Sequence, residues 1–166
     1  MLKREIKIYS IGNKIEQHGN WIDLSTAEEV VVHKPKIKYS KTNNQRFVSF
    51  EYLKINLGIV TELPKWYKAE LKPRSSTFEK YGLIQTNSVG EIEGDYGDFW
   101  LMPVLCFKDT TIPKDTRICQ FQVKLREDAP ILYKILDLFT RLKIKMVDNK
   151  EALSSSRSGF GSTDVK

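Results

Sequence analysis

Asn87-Ser88-Val89-Gly90-Glu91-Ile92-Glu93-Gly94-Asp95-Tyr96-Gly97-Asp98 is preceded by Tyr81-Gly82-Leu83-Ile84 and followed by an almost unbroken apolar run from Phe99 to Phe107. The flanking runs read as strands, the second a buried one, and the middle reads as a tight hairpin carrying an amide, glycines, carboxylates and one tyrosine. Strand, turn and strand in this order make the chain a β protein. An acidic hairpin between buried strands is either an ordinary solvated turn or a place where a small ligand is held.

The rest of the chain repeats the pattern. Ile6 to Ile11 alternate apolar and polar and stop at Gly12-Asn13. Asp23 follows a glycine turn in His18-Gly19-Asn20-Trp21-Ile22-Asp23-Leu24, where a carboxylate either caps the turn or faces a site. Val30-Val31-Val32 is strand-like, His33 to Arg46 is basic and polar and reads as an exposed loop or irregular strand, and Phe47 to Ile59 again has strand composition. Leu63 to Leu71 bends at Pro64 and leads into Lys72-Pro73-Arg74-Ser75-Ser76-Thr77. A guanidinium followed by three hydroxyls offers the donors that polyphosphate oxygens need, and Ser75 is a phosphate ligand, a helix N-cap, or both. In Thr116 to Val123, Ile118 and Gln120 share one face, with Arg117, Cys119 and Phe121 on the other. Gln120 is therefore a satisfied core amide or a site residue. Many short strands between turn signals predict an all-β sandwich or barrel.

One segment breaks the period. From Asp128 to Leu142 apolar residues recur at helical spacing, with Asp128 as candidate N-cap and Pro130 in the first turn, which predicts one late helix. Its stripe is expected to face the core, the alternative being a partner-binding face. The small, polar end, residues 154–166, reads as a flexible tail. A phenylalanine set between glycines, Phe160, with Arg157 before it and hydroxyls after, would close over a ligand.

The chain's 166 residues, 40% hydrophobic and 29% charged, fit one domain, so residues 1–153 are taken as a β domain and 154–166 as its tail. The net charge of +6 permits an anionic partner, but 27 basic residues are spread among 21 acidic ones, so nucleic acid is not indicated. Cys106 and Cys119 lie in apolar strand-like segments and are read as reduced and buried rather than paired. A charged start and only a short alternating run predict neither signal peptide nor membrane span, hence a cytoplasmic protein.

Taken in order, five segments resemble the motifs of the trimeric dUTP pyrophosphatases (dUTPases), the phage and Gram-positive type in particular: Asp23-Leu24, Pro73 to Thr77, the Asn87 to Asp98 hairpin, Arg117-Ile118-Cys119-Gln120, and Arg157 to Thr163. The resemblance runs from about Gly19 to Thr163 and implies a jelly-roll-like distorted β-barrel assembled as a homotrimer, with each site shared among subunits. It implies hydrolysis of dUTP to dUMP and pyrophosphate with Mg²⁺ bound mainly to the triphosphate. In that picture Asn87, with the hairpin backbone at Gly90, holds the uracil edge and Tyr96 packs on deoxyribose. Arg74, Ser75, Ser76 and Gln120 hold phosphates and the catalytic water, and Asp23 acts through the metal's water shell. Arg157, Phe160, Gly161, Ser162 and Thr163 form a lid.

The water must also meet a carboxylate. By its place three residues before Tyr96 this is Glu93, where the family usually carries aspartate; Asp95 is the fallback base. Ser76 stands where many members have glycine, Gly97-Asp98 shortens the loop after Tyr96, and Asp164 replaces a terminal glycine. Two other readings accompany this one. The related dCTP deaminases need a glutamate on the strand after the hairpin, and Phe99 to Phe107 contains none. A nucleotide-binding regulator with weak or no catalysis would dock on a protein partner through the extra helix.

Overall fold

The computed structural model describes residues 4–12 and 15–153. Among them the chain forms fifteen strands and two α-helices. The first half comprises β1 (Arg4–Ser10), β2 (Glu16–His18), β3 (Trp21–Ser25), β4 (Val30–Val32), β5 (Lys36–Ser40), β6 (Gln45–Ser49), β7 (Glu51–Asn56) and β8 (Ile59–Glu62). The second comprises β9 (Tyr67–Pro73), α1 (Thr77–Tyr81), β10 (Leu83–Gln85), β11 (Gly90–Glu93), β12 (Leu101–Cys106), β13 (Thr110–Ile112), β14 (Arg117–Leu125), α2 (Ile131–Asp137) and β15 (Leu142–Val147). They group into five sheets, none of which closes into a barrel among the described residues.

The largest sheet runs β11-β9-β14-β3-β2, all antiparallel. Its strands alternate as a half-buried sheet requires. Ile22 and Leu24, Ala69 and Leu71, and Phe121 and Val123 lie in the core, where Phe121 meets Trp100 edge-on at a centroid distance of 4.8 Å. Truncating Phe121 to alanine would cost about 3–5 kcal/mol by the usual cavity penalty. The alternate residues, Asp23, Gln120, Lys72, Glu70, Gln122, Lys124, Lys68, Glu91 and Glu93, make the sheet's other face polar.

That face is tied by charge. Lys124 Nζ reaches Glu70 Oε2 at 2.8 Å, Gln122 Nε2 donates to the same oxygen, and Lys68 Nζ lies 2.8 Å from Glu127 and 3.1 Å from Glu91. The Lys124 ammonium beside Glu70 holds its carboxyl below the usual carboxylate range, against the opposing push of burial.

A second sheet, β10-β12-β7, carries Leu101–Cys106 of the apolar run as the mostly buried β12 and places Ile84, Leu105 and Tyr52 in one cross-strand row. Ile84 and Tyr52 are exposed, and beside them run Phe78, Phe107 and Phe50, with ring centroids 5.9 and 5.0 Å apart. His33 to Arg46, expected as an exposed loop or irregular strand, is mostly part of a two-stranded ribbon, β5 with β6, which among the described residues pairs with no other strand and is exposed along nearly its whole length.

The late helix is the main correction. α2 spans Ile131–Asp137 rather than Asp128 to Leu142, and Pro130 stands at the N-cap position. Asp128 does not cap it, because Arg126 takes both carboxylate oxygens at 2.9 and 2.8 Å. Nor does the apolar stripe face the core: Leu138 is 80% and Phe139 82% exposed, and Ile131, Leu132 and Ile135 are exposed as well. The core below is already filled by strands, and α2 is anchored instead through Tyr133 against Trp66 and Asp137 accepting from Tyr67 Oη at 2.8 Å. Leu142 begins β15, which pairs in parallel with β1. A second short helix, α1, starts with Ser76, not Ser75, at its N-cap, and Ser76's hydroxyl makes no capping bond.

Candidate active site

Three of the predicted segments meet at one end of the large sheet. Across β14 and β3, Gln120 is registered with Asp23 and Cys119 with Leu24, after a bulge that follows Arg117. Bulges re-aim side chains, and here Arg117 turns toward Asp23. Asp23 is 4% exposed, and its Oδ2 lies 3.4 Å from Arg74 Nη2 and 3.5 Å from Arg117 Nη1. Arg117 also reaches Glu16 at 2.6 Å. A buried carboxylate is sustained only by such pairing, yet Oδ2 accepts no hydrogen bond of good geometry. Asp23 thus lies between two guanidiniums.

The Arg74–Ser76 turn is stitched to β14 by one carbonyl. Ile118 O accepts from Arg74 N at 3.1 Å and from the buried Thr77 hydroxyl. The guanidinium and the serines thus project from a fixed turn. Arg74 and Ser75 line a groove of about 310 Å³ together with Phe78, Ile84, Gln85 and Ser88. Cys119, buried behind this cluster, has its thiol pushed up by desolvation and then by the Asp23 charge; Cys106 is pushed up to about 11, first by burial. Both are unpaired, as expected.

The hairpin supplies the rest. β11 lies on β9 with Gly90 opposite Leu71 and Glu93 opposite Lys68. A Cβ on Gly90 would stand 3.2 Å from Leu71 Cβ and 3.4 Å from Asn87 Nδ2, so hairpin and strand approach closely here and a side chain would fit only if these neighbours shifted by a few tenths of an ångström. Tyr96 packs half-buried against the core and donates its hydroxyl to Phe99 O at 3.1 Å. Burial, and then the Asp98 carboxylate, push its phenol up.

Glu93 and Asp95 do not join Arg74. They line a separate cavity of about 540 Å³ with Gly94, Trp66, Tyr67 and Arg126. Glu93 is registered at Lys68, and Arg74 stands six residues farther on, just past the end of β9, which at 3.3 Å per residue is roughly 20 Å. Within one chain, then, Asp23, Arg74, Ser75, Ser76 and Gln120 gather at one place and Glu93 at another. The predicted lid residues Arg157, Phe160, Gly161, Ser162 and Thr163 lie outside the described residues.

Three residues escaped the sequence reading. Lys68 and Arg126 face the Glu93 end, and their signal, single cations among many, is indistinct. Gln85 is the third: 6% exposed, it donates through Nε2 to Leu71 O at 3.2 Å and to Asn87 Oδ1 at 2.8 Å. An amide closing the short apolar run Leu83-Ile84-Gln85 was the available clue.

Among the described residues no three His, Cys, Asp or Glu side chains gather into a metal cage. Mg²⁺ is commonly held by one or two carboxylates together with substrate phosphates. Asp23, with its unsatisfied buried oxygen, fits that mode and no fuller one. Among the described residues no helix is long and apolar enough to cross a membrane.

No family model matches the chain. The SPbeta prophage-derived deoxyuridine 5'-triphosphate nucleotidohydrolase YosS of Bacillus subtilis (strain 168) is 35% identical over 157 residues, covering 93% of this chain and 89% of that protein. The deoxyuridine 5'-triphosphate nucleotidohydrolase of Hydrogenobaculum sp. (strain Y04AAS1) is 32% identical over 149 residues, covering 87% and 83%. Among solved structures, the dUTPase from Streptococcus mutans matches with a TM-score of 0.58 at 18% identity, over 75% of this chain and 98% of that one. At that identity the likeness is one of fold.

Proposed function

We infer the reaction from one premise: this chain belongs to the deoxyuridine 5'-triphosphate nucleotidohydrolase (dUTPase) family. It is a dUTP diphosphatase, which splits dUTP with water into dUMP and pyrophosphate. The observation that carries the assignment of its site is the Asp23–Arg74–Arg117 cluster beside Gln120 on the polar face of the sheet.

In the site we propose, Arg74 offers its guanidinium, and Ser75 and Ser76 their hydroxyls, to the phosphate oxygens. Gln120 orients the attacking water. The carboxylate of Glu93 accepts the water's proton as the new P–O bond forms and pyrophosphate leaves, with Asp95 as the alternative base. Asn87, with the Gly90 backbone, meets the uracil edge. Tyr96, fixed by its bond to Phe99 O, leaves no room for a 2'-hydroxyl. Arg157, Phe160, Gly161, Ser162 and Thr163 close over the nucleotide. Mg²⁺ supplies neutralisation of the triphosphate charge when bound, with Asp23 as the residue that would hold its water shell.

A single copy cannot bring these parts together. A water-activating carboxylate must sit within hydrogen-bond reach of the water, while Glu93 lies roughly 20 Å along the sheet from Arg74. We propose that a second copy completes the site, in the homotrimer that the resemblance to the family implies. The cross-strand row Ile84–Leu105–Tyr52, exposed at Ile84 and Tyr52, with the exposed rings of Phe78, Phe107 and Phe50, borders the Arg74 groove and is the face we assign to that contact.

The test is pyrophosphate release from dUTP, UTP and dCTP with Mg²⁺. Turnover of dUTP alone is expected, and Glu93→Gln should lower it by about a hundredfold or more while nucleotide still binds. Dependence on Asp95→Asn instead would move the base. The exposed apolar face of α2 favours a second reading, a regulator docking a protein partner there; absent dUTP turnover with retained nucleotide binding would select it.

A further inference from the structure

We propose that Gln85 determines which pyrimidine the enzyme accepts, by locking the Asn87 amide with its NH₂ group toward the base. The inference rests on the reading of Asn87 as the residue that meets the uracil edge.

An asparagine amide is nearly symmetric in shape and opposite in chemistry on its two sides. Turned one way it donates to a carbonyl; turned by half a revolution it accepts from an amine. Uracil presents a carbonyl at C4 where cytosine presents an amine. An asparagine free to turn would serve either base, so discrimination needs something that fixes the turn.

The structure contains such a device, and its polarity follows from one atom. Leu71 O, a backbone carbonyl, only accepts, so the Gln85 atom 3.2 Å from it is the nitrogen. That nitrogen only donates, so the Asn87 atom 2.8 Å from it is the oxygen. The Asn87 nitrogen is then left for the ligand, and the bare Gly90 beside it, where a Cβ would stand 3.4 Å away, keeps it open. A single carbonyl on β9 thus sets two amides in series.

Gln85 is also a costly way to fill this place. Its Oε1 is buried with no hydrogen-bond partner, which an apolar side chain of similar size would avoid. A glutamine kept here despite an orphaned carbonyl is explained by the two bonds its nitrogen makes.

Gln85→Leu and Gln85→Met remove the lock while preserving apolar volume, Met also preserving length. The measurement is kcat and KM for dUTP and for dCTP, with thermal melting alongside. Expected in either variant is a rise in KM for dUTP with kcat little changed, measurable dCTP turnover, and a fall of at least about tenfold in the dUTP:dCTP ratio of kcat/KM, consistent with the loss of a hydrogen bond that sets specificity. If Gln85→Leu fails to fold, Gln85→Met decides. A variant with the wild-type ratio, or with equal losses in kcat for every substrate, overturns the proposal and makes Gln85 a packing residue. A wild-type protein that turns over no dUTP is a different failure, that of the functional reading itself, and takes this proposal with it.

Discussion

Arg74 and Asp23 face each other from either side of β14, the guanidinium 3.4 Å from a carboxylate oxygen that is shut off from water. Arg117 approaches the same oxygen from the bulge in β14. Asp23→Asn keeps the shape and removes the charge that balances two cations. Because both guanidiniums are partly exposed, the loss of stability is held to about 1–2 kcal/mol rather than the larger penalty of a fully buried pair. Activity falls as well, by at least about tenfold in kcat/KM, as Arg74 loses the partner that aims it. Chemical denaturation and a Mg²⁺ titration of turnover read the two effects apart; unchanged Mg²⁺ demand would remove Asp23 from the metal's shell.

Separation of Glu93 from Arg74 gives a test that needs no structure of the assembly. Glu93→Gln and Arg74→Ala are each expected to be inactive alone. Mixed in equal amounts and reassembled, they should recover about a quarter of wild-type activity, since sites drawing the two residues from different copies are intact in about that share of random pairings. A mixture as dead as its parts would place the whole site in one chain.

Acid should act on the polar sheet face through Glu70. Its folded-state pKa is depressed, chiefly by Lys124, so its contribution is fully present above the ordinary glutamate value and is lost as pH falls through the depressed one. Glu70→Gln should therefore lower stability by about 0.5–1 kcal/mol at neutral pH, because the amide oxygen still accepts a hydrogen bond while the charge that the partly exposed Lys124 meets is gone. The difference from wild type should close in acid, where the native glutamate is protonated too. Urea melts across that range would show a constant difference if Glu70 did nothing.

Thiol chemistry checks the core. Burial pushes both cysteines up, Cys106 to about 11 and Cys119 further, so neither should react with a disulfide reagent at neutral pH in the folded protein. Both should react once urea unfolds it. Labelling of Cys119 in the native protein would mean that the strands around Asp23 open readily.

Much of this architecture is legible in the sequence. The hairpin and its buried neighbours announce themselves through short-range alternation, and the Arg74-Ser75-Ser76 run through its chemistry. Failures occurred where the deciding contact is distant in sequence. Leu142, Ile144 and Met146 alternate with lysines, a strand signature, but Leu142 also continues the i, i+3, i+4 series of α2, and only pairing with β1 at the other end of the chain resolves it. Glu93 and Arg74 are near in sequence and far apart in space because β11 pairs with the beginning of β9, while Arg74 follows that strand's end. Gln85 belongs to a strand too short to show any period, so its role emerges only from the atoms it touches.

The ribbon of β5 and β6 has a consequence of another kind. Residues 33–50 hold Lys34, Lys36, Lys38, Lys41 and Arg46 and no aspartate or glutamate, so all but one of the chain's six net positive charges reside in this one projection. The remainder is close to electrically neutral. The molecule is thus a dipole with a protruding positive pole, which in an external field or beside a negatively charged resin turns the ribbon foremost; without it, the same body would lose most of its retention on a cation exchanger.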